Sequence, residues 1–215
     1  MSARRTALLA GASGLVGGEC LKRLLVTPEY ARIVVLTRRD LGTEVGHARV
    51  RQVVCDFGRL EAVAAELAAD DVFCALGTTI AKAGSQAAFR TVDFEYPQRL
   101  AEVALARGAK HFSLVSALGA RSDSPFFYSR VKGELEAALR AMDWPSLCFV
   151  RPSVIAGERR EARPLERLAE RALRLAPRGW RSVPARDIAA AMVATALRSP
   201  LGTTVIESRQ IPPAA

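Results

Sequence analysis

The sequence predicts a doubly wound α/β protein, a parallel sheet with helices on both faces. Three observations carry this. Short apolar runs recur along the 215-residue chain, with helix-length stretches between them. The runs are apolar nearly throughout rather than alternating, as strands covered on both faces must be. The first run leads directly into a glycine-rich turn that opens a helix, Gly11-Ala12-Ser13-Gly14-Leu15-Val16-Gly17.

Taken in order, strands are expected over Thr6–Ala10, Ile33–Leu36, Val50–Val54, Val72–Leu76, Phe112–Val115 and Leu147–Val150. Helices are expected between them, over Leu15–Val26, Arg59–Ala69, Thr91–Arg107 and Tyr128–Met142. The last places Val131, Leu135, Ala138, Leu139 and Met142 at helical spacing, an apolar stripe for packing on a sheet. After Pro152 the pattern loosens. A helix over Pro164–Leu175 and a second one ending at Leu197 are expected, the second capped by Asp187, whose carboxylate can accept free amide hydrogens. A short strand over Thr204–Ile206 closes the chain. With no linker or repeat, residues 1–215 read as one domain: a core over 1–151 and a small, dependent substrate-side lobe over 152–215.

Composition narrows the function. Half of the residues are hydrophobic and a quarter charged, the balance of a globular protein. The net charge of +9 invites a nucleic-acid reading, but the chain carries 27 Arg against 4 Lys, and the excess is local. Residues 158–186 hold nine Arg and four Glu. Trp180 is the one aromatic residue there, no recognition motif is present, and Glu170 can pair with Arg174, so a solvated face is the leading reading. In a second reading, Arg159, Arg160 and Arg163 frame a site entrance and favour an anionic substrate. No nucleic-acid partner is expected. No run approaches the roughly 18 consecutive apolar residues of a spanning helix, so no membrane is expected either. Cys20, Cys55, Cys74 and Cys148 form no Cys-x-x-Cys pair, and only His47 and His111 could join them. Buried free thiols in a reducing, cytoplasmic compartment are expected, and no metal site. Arg4-Arg5 ahead of an apolar stretch imitates a secretion signal, but Gly11, Gly14, Gly17 and Gly18 break that stretch.

The glycine spacing has a chemical use. At the first strand-to-helix junction, Gly11, Gly14 and Gly17 let the backbone turn sharply, approach a pyrophosphate and pack the helix on the strand. The second strand ends Leu36-Thr37-Arg38-Arg39. Where an NAD-preferring site has a carboxylate for the ribose 2′-hydroxyl, this chain has a guanidinium suited to a 2′-phosphate. NADP(H) is therefore favoured over NAD(H), with Asp40 near enough to contact a ribose. Asp56-Phe57 either flanks the adenine or is a helix-capping Asp beside a core Phe.

The fifth strand ends in Ser116, and Tyr128 and Lys132 follow, four residues apart on one helix face. That set suits carbonyl reduction or its reverse. Lys132 can hold the nicotinamide ribose while its charge eases proton movement at the phenol. Tyr128 can protonate the oxygen as hydride arrives, and Ser116 can polarise the same carbonyl. The loop from Thr79 to Ser85, with Lys82 and Gly84, is either a plain turn or a substrate contact.

The glycine turn, Ser116, Tyr128 and Lys132 resemble the short-chain dehydrogenase/reductase superfamily in its atypical or extended branch. More narrowly, Phe73-Cys74-Ala75-Leu76-Gly77-Thr78-Thr79, Lys82-Ala83-Gly84-Ser85, Val92-Asp93-Phe94-Glu95-Tyr96, Lys110-His111-Phe112 and Gly157-Glu158-Arg159-Arg160-Glu161-Ala162-Arg163-Pro164 resemble the Tat-interacting oxidoreductase-like subfamily, whose animal members are described as metastasis suppressors. The resemblance implies a Rossmann fold with NADPH. Gly11, Ser13, Gly14, Leu15, Val16 and Gly17 would hold the pyrophosphate, and Arg38 the 2′-phosphate. Leu76, Gly77 and Thr78 would line the cofactor, and Pro152 and Val154 would pass near the nicotinamide. Two departures matter. Leu76-Gly77-Thr78-Thr79 stands where classical members have Asn-Asn-Ala-Gly, and the long substrate domain of sugar-nucleotide epimerases is missing. A small carbonyl or alcohol substrate follows. The alternative is a non-catalytic NADP(H)-binding redox sensor acting through a protein partner.

Overall fold

Seven parallel strands lie in the order β3-β2-β1-β4-β5-β6-β9 in a computed structural model that describes residues 4–156 and 182–214. They are β1 (Arg5–Ala10), β2 (Tyr30–Thr37), β3 (Val50–Val54), β4 (Asp71–Cys74), β5 (His111–Val115), β6 (Ser146–Arg151) and β9 (Gly202–Glu207). A small parallel pair, β7 (Ile155–Ala156) and β8 (Val183–Pro184), lies outside the sheet. Residues 1–3, 157–181 and 215 are outside the described residues, so the expected helix over Pro164–Leu175 and most of the arginine-rich stretch fall there.

The sheet is doubly wound. One core forms where α4 (Tyr96–Ala106) and α5 (Phe127–Arg140) meet a sheet face through Leu100, Leu135 and Leu139. On the other face, α1 (Leu15–Val26) and α6 (Ala185–Arg198) supply Leu21, Leu24, Ile188 and Met192. Strands buried on both faces leave no solvent side for polar residues, which is why the runs read as continuous apolar sequence. The chain turns outward from β1 through β2 to β3, then returns beside β1 with β4. That reversal opens a crevice beyond the carboxyl ends of β1 and β4.

Three elements differ from expectation. The helix expected over Arg59–Ala69 is a 3-10 helix, Phe57–Leu67, irregular at Arg59 and capped by Asp56, which accepts from Gly58 N at 2.8 Å. Asp187 does not cap α6. The helix starts after Pro184, and the Asp187 carboxylate accepts from Ala214 N at 2.9 Å instead, tying down the C-terminal segment. The helix expected over Thr91–Arg107 begins earlier and is interrupted. It runs from α3 (Gln86–Arg90) through a π turn (Thr91–Glu95) into α4. Pro97 explains the interruption: its ring has no N–H to donate and conflicts with the carbonyl four residues back, at Asp93. A wide turn accommodates both.

Beneath the opposite end of the sheet lies a buried polar cluster. Asp71 pairs with Arg5 and accepts from Tyr30 Oη at 2.9 Å, while His111 bridges Ser146 Oγ at 2.8 Å and Ser113 Oγ at 2.7 Å. Burial, and secondarily the Arg5 charge, push His111 down to about 4. The unfolded chain therefore takes up a proton near pH 6.5 that the folded chain refuses. This contribution to stability is complete above pH 6.5 and is lost as pH falls toward 4. Relative to His111→Asn, the wild-type protein should lose about 2 kcal/mol between pH 7 and 5. Urea unfolding at the two pH values checks it; a difference that does not change with pH contradicts it.

Candidate functional site

A cleft of about 510 Å³ occupies the crevice and is lined by Gly11, Ala12, Ser13 and Gly14 from the first turn. Leu36, Thr37, Arg38, Arg39 and Leu41 form its far rim, with Phe57, Ala75, Leu76, Gly77, Val92 and Tyr96 as the remaining wall. The glycines do three different jobs. Gly11 sits at φ +94°, and a Cβ there would meet the Ala75 carbonyl oxygen at 2.5 Å. A Cβ on Gly17 would collide with the Gly11 carbonyl, so this glycine lets α1 close against the turn. Gly14 is the N-cap of α1 with no side-chain cap, and a Cβ there would meet only the Gly11 oxygen, at 3.3 Å. A bare helix N-terminus beside an open cleft is a ready site for an anion.

At the rim, Arg38 and Arg39 are exposed. Asp40 is exposed, and its Oδ1 accepts from Gly42 N at 2.8 Å and Gln52 Nε2 at 2.7 Å. Those bonds hold its carboxyl below the usual carboxylate range. Phe57 is buried with its ring 5.6 Å from that of Tyr96, so the Asp56-Phe57 pair supplies both a helix cap and a cleft wall.

At the other end, α5 presents Tyr128 and Lys132 one turn apart. Tyr128 is 40% exposed, and its ring lies 5.7 Å from the buried Phe89 ring. Lys132 is buried, with its ammonium 2.8 Å from Asp93 Oδ1. Asp93 comes from the π turn and is equally buried, and its Oδ2 accepts from Thr78 N at 2.9 Å. Burial pulls the Lys132 ammonium down, but the Asp93 carboxylate, with Tyr128 and Cys74 beside it, outweighs this and holds it above the ordinary lysine value. Gly77 joins this pair to the cleft: a Cβ there would meet Asp93 Oδ1 at 3.4 Å and Lys132 Nζ at 3.9 Å.

Ser116 is engaged by a residue farther along α5. Its hydroxyl donates to Glu136 Oε1 at 2.6 Å. Glu136 is fully buried and also accepts from Arg151 Nε at 2.9 Å and Arg151 Nη2 at 2.6 Å. Of the expected cofactor residues, Leu15, Val16, Gly17, Asp56, Thr78, Tyr128, Lys132, Pro152 and Val154 do not line the cleft, although Thr78 braces Asp93. Thr79 caps the short α2 (Ile80–Ala83), accepting from Lys82 N at 3.2 Å, and Gly84 ends it at φ +81°. The residues that sequence reasoning did not assign to the site are Asp93, Ala12, Leu36, Thr37, Arg39, Leu41, Ala75, Val92 and Tyr96. For Asp93 a signal existed: an acid inside an expected helix, four residues before a proline.

Three of the four thiols are buried and Cys55 is half-buried; all are free. Among the described residues no group of three His, Cys, Asp or Glu could hold a metal ion, and no helix is long and apolar enough to cross a membrane.

A strand-turn-helix at the switch point of a parallel sheet is how Rossmann-type domains hold a dinucleotide. Residues 11–199 match the family described as NAD(P)H-binding, and the chain belongs to it. It is 38% identical over 194 residues to Protein HTATIP2 of Rattus norvegicus, covering 88% of this chain and 80% of that protein. It is 33% identical over 160 residues to the mitochondrial protein FMP52 of Candida albicans, covering 73% and 70% of the two chains. Among solved structures, the Bordetella bronchiseptica enzyme WbmG in complex with NAD superposes with a TM-score of 0.72 at 16% identity, over 96% of this chain and 73% of that one. MoeE5 in complex with UDP-glucose and NAD gives 0.71 at 19% identity, over 94% and 75%. These likenesses establish the Rossmann fold.

Proposed function

We propose that this protein is an NADPH-dependent oxidoreductase of the short-chain type that reduces a small carbonyl compound or oxidises the corresponding alcohol. The observation that carries this reading is the junction at Gly77, where the dinucleotide cleft reaches the Lys132–Asp93 pair one helical turn from Tyr128. NADPH, when bound, supplies the hydride. The chain's own residues then have distinct tasks. The glycine turn and the α1 N-terminus receive the pyrophosphate, Phe57 and Tyr96 flank the adenine, and Lys132 holds the nicotinamide ribose. The half-exposed Tyr128 hydroxyl gives its proton to the substrate oxygen. A role for Ser116 in polarising the carbonyl requires its hydroxyl to leave Glu136. Pro152 and Val154, following β6, would border the nicotinamide. The chain acts as one domain in this reading, and its free thiols suit a cytoplasmic setting, although the fungal relatives are named mitochondrial.

The preference for NADPH rests on two exposed arginines at the rim and on Asp40 being tied to Gly42 and Gln52. Arg38→Ala should weaken NADPH binding roughly 10- to 100-fold through loss of charge-assisted hydrogen bonds, and leave NADH binding unchanged. Calorimetric titration with both cofactors checks it; equal weakening of the two contradicts it.

The commitment of the Ser116 hydroxyl to Glu136 favours a second reading, a cofactor-binding regulator that signals through a protein partner. It predicts tight NADPH binding with no turnover across a panel of carbonyl compounds.

A further inference from the structure

Resting on the oxidoreductase reading above, we infer that Asp93 is a positioning residue that keeps Lys132 charged and fixed in a dry site, acting through Lys132 rather than on the substrate. The geometry makes the case. A lysine removed from water favours its neutral amine, and a buried lysine without a partner loses its proton several pH units early. Lys132 is only 3% exposed, and Asp93 Oδ1 lies 2.8 Å from its ammonium. Oδ1 has no aligned hydrogen-bond donor among the described residues, so the lysine charge is its compensation, and the dependence is mutual.

Among the described residues, the surroundings supply no substitute. From β4, Cys74 approaches with a buried thiol that burial pushes up to about 11. Along α5, Tyr128 lies one turn before Lys132, and Glu136 one turn after is occupied by Ser116 and Arg151. Glu134 points to Arg90 of α3. Among the described residues Asp93 is therefore the carboxylate paired with Lys132, and two backbone features hold it in place. The π turn forced by Pro97 carries it inward, and Thr78 N fixes Oδ2 from the loop after β4. Through this side chain the loop after β4 is linked to the helix that carries the Tyr–Lys pair.

The charged lysine is needed to hold the ribose, so Asp93 sets the pH range over which the site binds cofactor. The chain has four lysines, which makes the side-chain nitrogen of Lys132 separable by NMR in lysine-labelled protein. In the wild-type protein the Lys132 signal should remain that of an ammonium from pH 6 to 9. In Asp93→Asn, which keeps the acceptor for Thr78 N, its titration midpoint should fall by on the order of 2–4 pH units. NADPH affinity of this variant should approach that of wild type at low pH and fall tenfold per pH unit above the new midpoint. Asp93→Glu, which keeps the charge, should restore affinity at high pH.

A neutral Lys132 at pH 7 in the wild-type protein overturns the inference even if the asparagine variant fails to fold. So does an asparagine variant whose affinity is reduced equally at every pH, since that describes a structural role alone. Neither readout requires turnover. Absence of hydride transfer to any carbonyl would defeat the oxidoreductase reading and leave the Lys132 titration standing.

Discussion

Tyr128→Phe should lower turnover roughly 10³-fold while NADPH binds with unchanged affinity. In the proposed site the phenol serves proton transfer rather than packing. It is 40% exposed at the start of α5, while the ring body rests against Phe89 at 5.7 Å. Phenylalanine keeps that ring contact, so the helix and Lys132 below it stay in place, and only the hydroxyl is lost. A loss confined to kcat, with cofactor affinity preserved, marks an interaction made in the transition state. Steady-state kinetics and calorimetry on the same preparation separate the two. Full activity in the variant would remove Tyr128 from the chemistry.

Gly17→Ala should be among the most damaging single methyl additions at the described glycines, with Gly11 and Gly133 also closed to a Cβ by backbone. The added carbon would meet the Gly11 carbonyl, which belongs to backbone and cannot rotate away. Relief requires α1 to lift from the turn, and that moves the helix N-terminus away from the place where phosphate oxygens would bind. Overpacking of this kind costs on the order of 3 kcal/mol. NADPH affinity should fall roughly 100-fold beyond any loss of folded protein, since about 2.7 kcal/mol of binding corresponds to that factor. Gly18→Ala is the control one residue on, where a Cβ would meet the Ala12 oxygen at an ordinary 3.4 Å. Thermal unfolding and cofactor titration of the pair check both parts; equal behaviour of the two variants contradicts the assignment.

The parallel sheet and its glycine turn were legible in the sequence because both are local signals. Apolar runs such as Ile33–Leu36 report burial on both faces, and the Gly11-Gly14-Gly17 spacing reports a strand packed against a helix. What escaped was set by long-range pairing. Asp187 looks like a cap by position, but the C-terminal segment claims it through Ala214 N. Asp40 also takes a long-range partner that spacing does not reveal, its Oδ1 accepting from Gln52 of β3. Ser116 stands at the expected strand end, yet its hydroxyl turns to Glu136, twenty residues later in the chain. Asp93 was passed over because a regular helix was expected around it, and only the π turn explains its burial beside Lys132.

The two halves of the sheet diverge at β1 and β4, the cleft forms where they part, and Gly77 in its wall lies beside Lys132 of α5. If that arrangement moves hydride, a cofactor carrying deuterium at the transferable position of the nicotinamide must deliver it. The most direct test incubates the wild-type protein with 4-deuterated NADPH and a panel of small carbonyl compounds, and reads the alcohols by mass spectrometry. One deuterium on the carbinol carbon, present with wild type and missing with Tyr128→Phe, is the predicted result. NADPH that binds tightly but delivers no deuterium to any member of the panel would contradict it.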